Sequence, residues 1–245
     1  MKLLINEMFG PTLQGEGSLI GRQCLFIRTN TCNLRCEWLN KDGTTTKCDT
    51  PYTSWKPEQK KPMEISEIVT MVEVMVDEYN VKYIVISGGE PFLQPGIVEL
   101  VDELKKLNLH ITIETNGTIF RETKADLISM SPKLMSSVPK MISPEQDIHI
   151  KNRVYNRHNI EKFKQYYNNI QFKFVYNSKE DLIEIINMFQ IPFEIDSDDI
   201  WLMPQGITKE QLAQKSIELF DLCSEQGYNY SPRLHIDVYN DKRGI

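Results

Sequence analysis

The sequence predicts an α/β fold: a partial (β/α) barrel of about six parallel strands, in a single domain over residues 1–245. Two observations predict it. Apolar runs of strand length alternate with helix-like segments, which implies a parallel sheet with right-handed crossovers. The segments richest in Gly, Pro and Cys all follow predicted strands, and in such sheets ligands bind beyond the C-terminal strand ends. The units are too few for a complete eight-fold barrel.

Strands are expected at 24–28, 83–87, 110–114, 127–130, 170–176 and 200–203, and helices at 66–79, 96–107, 179–189 and 209–226. The second helix opens after a proline and carries Ile97, Leu100, Val101, Leu104 and Leu107 at helical spacing. Ser66, ahead of Ile68, Val69 and Val72, is the expected N-cap of the first. The strand-following segments 29–36, 88–91, 115–118, 131–133 and 204–206 can share one mouth. Two regions read as loops. Residues 41–62 are rich in Thr, Lys and Pro; residues 138–155, with Lys140, Lys151, Arg153 and nearby Arg157, read as a flexible lid or an edge.

The net charge of −6 disfavours a general nucleic-acid or membrane binder, because those need basic faces. No stretch approaches the roughly 20 apolar residues of a membrane span, and the N-terminus lacks the apolar run of a signal peptide. The chain is therefore read as cytoplasmic. An odd count of five cysteines in a reducing compartment disfavours a disulfide framework.

Cys32, Cys36 and Cys48 are spaced Cys-x3-Cys-x11-Cys. Three thiolates suit a four-iron, four-sulfur cluster that keeps one iron open for a small molecule. Structural zinc is the alternative, but it wants a fourth ligand and no nearby histidine supplies one. Cys24, inside an apolar strand, and Cys223, on a helix, read as core residues.

The surroundings are more specific. Thr31-Cys-Asn-Leu-Arg-Cys-Glu-Trp38, Cys48-Asp-Thr50 and Ile86-Ser-Gly-Gly-Glu-Pro91 resemble the radical S-adenosylmethionine (SAM) superfamily. Within it, the chain resembles the 7-carboxy-7-deazaguanine synthases. The similar segments are Phe9-Gly-Pro-Thr-Leu-Gln-Gly-Glu-Gly17, Leu25-Phe-Ile-Arg28, Glu114-Thr-Asn-Gly-Thr118, Ser131-Pro-Lys133, and Leu234-His followed by Lys242-Arg-Gly244. They run in family order along nearly the whole chain. One departure is clear: the family spaces its cysteines Cys-x3-Cys-x2-Cys, and here nine extra residues, 39–47, precede Cys48. A turn-like insert with Asn40, Lys41, Asp42 and Gly43 can be looped out at small entropic cost.

The resemblance implies a radical SAM core whose cluster is held by Cys32, Cys36 and Cys48. It implies SAM contacts from Trp38, Asp49, Gly88, Gly89, Glu90 (as acceptor for the SAM amino group), Ser131, Pro132, Lys133, Met203, Pro204 and Gln205. Thr50 would give an oxygen to Mg²⁺, a hard ion that prefers oxygen ligands. Leu13, Gln14, Gly15, Arg28, Ser87, Glu114 and His235 would face the substrate; His110, His149 and His158 are given no role. The implied lyase reaction contracts the ring of 6-carboxy-5,6,7,8-tetrahydropterin and releases ammonia, forming 7-carboxy-7-deazaguanine for queuosine or another deazapurine. A flavodoxin- or ferredoxin-type electron donor and a homodimer are implied as well. The rival readings are an activating enzyme for a glycyl-radical protein, which would need a broad docking groove, and a non-catalytic metal-binding module.

Overall fold

Alternation with period two sorts the strand residues into an apolar set that faces helices and a polar set that faces a cavity. The computed structural model describes the backbone of residues 1–245 and every side chain except those of Tyr155 and Asn156. The strands are β1 (Lys2–Leu3), β2 (Ile5–Leu13), β3 (Gln23–Thr29), β4 (Glu37–Leu39), β5 (Thr45–Lys47), β6 (Met63–Glu64), β7 (Tyr83–Gly88), β8 (His110–Thr115), β9 (Leu127–Met130), β10 (Ile170–Tyr176), β11 (Ile200–Pro204) and β12 (Asn229–Tyr230). The helices are α1 (Ile65–Tyr79), α2 (Ile97–Lys106), α3 (Pro144–Arg153), α4 (Tyr155–Tyr166), α5 (Lys179–Ile185), α6 (Lys209–Gln226) and α7 (Leu234–Tyr239).

The main sheet has eight strands in the order β12-β11-β10-β9-β8-β7-β3-β2. Neighbours pair in parallel, apart from β2, which runs antiparallel to β3. The six expected strands are the contiguous middle of this sheet. The two flanking strands were not expected. β12 is two residues long, too short for a pattern, and β2 carries Gly10-Pro11 and two register irregularities that break its alternation.

Leu25 and Ile27, Ile84 and Ile86, Ile111 and Ile113, Ile128 and Met130, and Phe172 and Phe174 belong to one buried cluster with residues of α1, α2, α4 and α6. Removing such a side chain typically costs 2–5 kcal/mol. The alternate positions, Arg28, Ser87, Glu114, Ser129 and Lys173, line a cavity. One strand pattern thus makes both the core and the site. Cys24 and Cys223 are buried, as their settings implied.

Three local expectations are corrected. Glu64, not Ser66, takes the N-cap of α1, its amide donating to Glu67 Oε2 (3.0 Å). The expected helix 179–189 is α-helical only to Ile185 and continues as a wider π turn, Ile186–Gln190, in which Phe189 packs on Phe174. The supposed loop 138–155 contains α3, whose cap is Ser143, accepting from Gln146 N (3.2 Å), with Pro144 at its first helical position. Its apolar residues are too sparse for a clean stripe, so cap and proline were the only signals. Helices α4 and α7 were missed for the same lack of periodicity.

Candidate active site

A cavity of about 450 Å³ opens at the C-terminal ends of the main-sheet strands. It brings together Cys32, Cys36 and Cys48, three residues spread over 17 positions in sequence. The insert explains how. Residues 37–47 fold on themselves as an antiparallel hairpin, pairing Glu37 with Lys47, Trp38 with Thr46 and Leu39 with Thr45. Asn40 N donates to Thr44 O (2.8 Å), and Gly43 takes the left-handed conformation that closes the turn. One step beyond the ladder, Cys48 N donates to Cys36 O (3.1 Å). The nine extra residues therefore leave Cys48 beside Cys36. Trp38 is buried against Leu34 and Cys36, with Cys32, Cys48 and Val175 packed on that cluster.

Burial pushes the Cys32 thiol up to about 12 and the Cys36 and Cys48 thiols above their ordinary value as well. Lys133 opposes the shift at Cys36 and Cys48, and Leu34 N donates to Cys32 Sγ (3.4 Å). Cys36 is buried and Cys32 and Cys48 are half-buried, and such thiols become thiolates most readily when a cationic group sits between them. Among the described residues, no group of three or more His, Cys, Asp or Glu is arranged to hold a metal ion directly. The three cysteines instead line an open cavity, and this soft donor set fits an iron–sulfur cluster with one uncommitted corner.

The end of β7 lies backbone to backbone against the start of the cysteine loop. Gly89 N donates to Thr29 O (3.3 Å) and Glu90 N to Thr31 O (2.9 Å). A Cβ on Gly89 would overlap the Thr31 carbonyl, and one on Gly88, at φ +137°, would overlap Thr29. Both glycines line the cavity. Glu90 does not. It is fully buried behind the wall, where its carboxylate accepts from Phe92 N (3.0 Å), Thr115 Oγ1 (2.8 Å) and Asn116 N (2.7 Å). Burial pushes its pKa up to about 7 against those donors. Here it braces two strand-end loops, where the resemblance implies an acceptor for the SAM amino group. Pro132 and Pro204 are likewise absent from the lining, while their neighbours Ser131, Lys133, Met203 and Gln205 are on it. Lys133 Nζ donates to Ser131 Oγ (2.5 Å), and Lys215 Nζ to Gln205 Oε1 (2.6 Å). Trp38, Asp49 and Thr50 also line the cavity.

All seven residues expected at the substrate line this cavity: Leu13, Gln14, Gly15, Arg28, Ser87, Glu114 and His235. Arg28 pairs with Glu7 (2.8 Å) beneath the Phe9 ring, so the charge on an apolar strand has its partner. Glu114 accepts from Ser87 Oγ (2.7 Å) and Gln14 Nε2 (3.2 Å), with Lys173 Nζ at 3.8 Å. A Cβ on Gly15 would overlap His235 Nδ1. Gly15→Ala is therefore expected to cost about 1–3 kcal/mol by overpacking and to raise the KM for substrate by displacing the imidazole. Urea unfolding and a substrate titration check this; wild-type stability and KM in the alanine variant would mean His235 is free to move.

The residues missed from sequence are mostly ionic. Glu16 pairs with Lys173 and with Arg233 Nε (3.0 Å), and Arg233 also binds Asp49 and the Gly206 carbonyl (2.5 Å). Burial opposes the Glu16 charge, but Lys173, Arg233 and His235 outweigh it and hold the carboxyl far below its ordinary range. Partial burial likewise opposes the Asp49 charge, and Arg233 and Arg28 hold it low. Glu16 lay inside the Phe9-to-Gly17 segment already singled out. Lys173 was detectable as a polar residue in phase with Gln171 on an apolar strand. Arg233 had no signal at all. Near the C-terminus, Arg243 is tied to Glu7 (2.8 Å), Glu58 (2.8 Å) and Asn6 (2.7 Å) and lies over the Tyr52 ring, which seats the last residues on the cavity rim.

Residues 26–173 match the Radical SAM superfamily. A 7-carboxy-7-deazaguanine synthase of Rhodopirellula baltica is 39% identical over 245 residues, an alignment covering 99% of this chain and 88% of the relative. The enzyme of that name from Halobacterium salinarum is 36% identical, covering 98% of this chain and 91% of its own. Among solved structures, QueE from Escherichia coli superposes with a TM-score of 0.65 at 23% identity, covering 96% of this chain and 95% of the other, a likeness of fold.

Proposed function

Because the chain belongs to the 7-carboxy-7-deazaguanine synthase family of radical SAM enzymes, we propose that its cavity converts 6-carboxy-5,6,7,8-tetrahydropterin to 7-carboxy-7-deazaguanine with release of ammonia. One observation carries the reading: three thiols and a polar wall of strand-end side chains share a single cavity. Cys32, Cys36 and Cys48 would hold the four-iron cluster, and Gly88, Gly89, Ser131, Lys133, Met203 and Gln205 would border SAM. Bound there, cluster and SAM supply reductive cleavage of a carbon–sulfur bond and with it hydrogen-atom abstraction.

The chain's own residues do the positioning. Gln14 and Ser87 each donate to the Glu114 carboxylate, so a pterin edge meets polar groups already held in place. Arg28, fixed by Glu7, stands where it can take a carboxylate. Thr50 is assigned to Mg²⁺. The Glu16–Lys173–Arg233–Asp49 network holds the floor rigid, and the hairpin and the C-terminal residues limit entry of water.

On the same reading, residues 1–245 form one radical SAM domain with a hairpin inserted at 39–47. The protein works in the cytoplasm as a homodimer, with a flavodoxin- or ferredoxin-type protein as reductant. Among the described residues, no helix is long and apolar enough to cross a membrane.

The test is anaerobic. The cluster is reconstituted, SAM, dithionite, Mg²⁺ and the carboxytetrahydropterin are added, and product is followed by mass. Formation of 7-carboxy-7-deazaguanine is the expected result. SAM cleavage without that product would move the substrate elsewhere, as in the glycyl-radical reading; absence of cluster and cleavage alike would leave only metal binding.

A further inference from the structure

Two residues of α3 reach the backbone between the first two cysteines. Asn152 Nδ2 donates to Asn33 O (2.7 Å), and Arg35 N donates to His149 Nδ1 (3.1 Å). These contacts lie either side of Leu34, in a loop of three residues between Cys32 and Cys36. His149 is fully buried. Its other nitrogen, Nε2, lies 3.2 Å from Ser137 Oγ. That hydroxyl commits its hydrogen to Leu134 O (2.6 Å), so it can only accept from the ring. Nε2 therefore carries the ring hydrogen, and Nδ1 is left bare as an acceptor for the Arg35 amide. The tautomer is set by the chain Leu134–Ser137–His149–Arg35.

Helix α3 is itself anchored. Arg153 Nε donates to Lys133 O (3.1 Å), and its guanidinium pairs with Glu184. On the other side of the loop, Asn33 Nδ2 donates to Thr118 Oγ1 (2.8 Å) and Asn33 Oδ1 accepts from Asn116 Nδ2 (3.0 Å). The side chain of Asn33 is thus held from one side, while its carbonyl and the Arg35 amide are held by α3. Without these partners, a partly buried amide and a partly buried carbonyl would lose their protein partners, and the loop would lose its fixed form.

We propose that His149 is a positioning residue: through its bare Nδ1, and with Asn152 beside it, helix α3 holds the Cys32–Cys36 loop in ligand-ready form before any cluster is present. This rests on the reading that these cysteines hold the cluster. It gives a role to a histidine that the mechanism does not use, and it turns the supposed lid into a support.

The test uses the full chain without cluster. Hydrogen exchange at the Arg35 amide is compared in wild type, His149→Phe and His149→Asn, with Ile84–Ile86 in β7 as internal control. Phe fills the space and offers no acceptor. Asn places its Oδ1 where Nδ1 was. Exchange at Arg35 should quicken roughly tenfold in the Phe variant, the loss expected for one hydrogen bond, and return close to wild type in the Asn variant, with β7 unchanged in both. After reconstitution, iron should leave the Phe variant to a chelator faster than it leaves wild type or the Asn variant. Equal exchange at Arg35 in the Phe variant and wild type, or an Asn variant as fast as Phe, overturns the proposal. If wild type takes up no cluster while Arg35 responds as expected, the cluster reading fails and the brace stands.

Discussion

Cys48→Ala is expected to abolish both cluster assembly and product formation while leaving the fold intact. The backbone bond from residue 48 to the Cys36 carbonyl does not depend on the side chain, so the hairpin still closes in the variant. What is lost is the third thiolate. Two sulfurs cannot hold a four-iron cluster, and the other cysteines cannot take over: Cys24 and Cys223 are buried within β3 and α6 and are not on the cavity wall. Iron analysis, the visible spectrum and product mass give the readout, and thermal unfolding of the cluster-free protein gives the control. That control should move by only about 1 kcal/mol. A variant that still assembles a full cluster and makes product would mean that Cys48 is not a ligand and that the hairpin serves something else.

Arg233→Met is expected to cost about 3–5 kcal/mol of folding stability, because it leaves two carboxylates short of their buried cation. Methionine replaces most of the stem, so the loss is chiefly one of charge. Glu16 would keep Lys173, which it shares with Glu114, and the more distant His235, and Asp49 would lose its Arg233 ion pair. For a domain stable by about 5–15 kcal/mol, this is a large fraction. The pH dependence separates charge from packing. Glu16 and Asp49 have folded-state pKa values held below the ordinary 4.5 and 3.8. Their contribution is present above the unfolded values and is lost as pH falls through the folded ones. Without Arg233 both folded values rise, and protonation then relieves the variant. The gap between wild type and variant should be widest near neutral pH and should narrow below about pH 4.5. Denaturant unfolding across that range checks it; a deficit that stays constant with pH would assign the loss to packing.

Several features were legible because they are local. The strands β3, β7, β8, β9, β10 and β11 declare themselves by apolar runs, and their polar alternates point to the cavity wall. Lys173 could have been read the same way, from Gln171-Phe-Lys-Phe174. Helix α3 offered Ser143-Pro144 and little else. Glu90 was recognised by its motif, but a motif does not tell whether a carboxylate faces a ligand or turns inward to Phe92, Thr115 and Asn116.

By itself, the sequence determined the fold class and the strand ends that line the cavity, which are written at periods of two or 3.6, and it pointed to the three cysteines by a local motif. Only the tertiary structure decided that a hairpin returns Cys48 to Cys36, that His149 supports the cysteine loop, and that Arg233 joins Asp49 to Glu16. The physical reason is separation along the chain. Arg233 lies 184 and 217 residues from those two partners, and His149 lies 114 from Arg35. A contact of that range leaves no periodic trace in the sequence, because it is set by how the whole sheet and its helices pack.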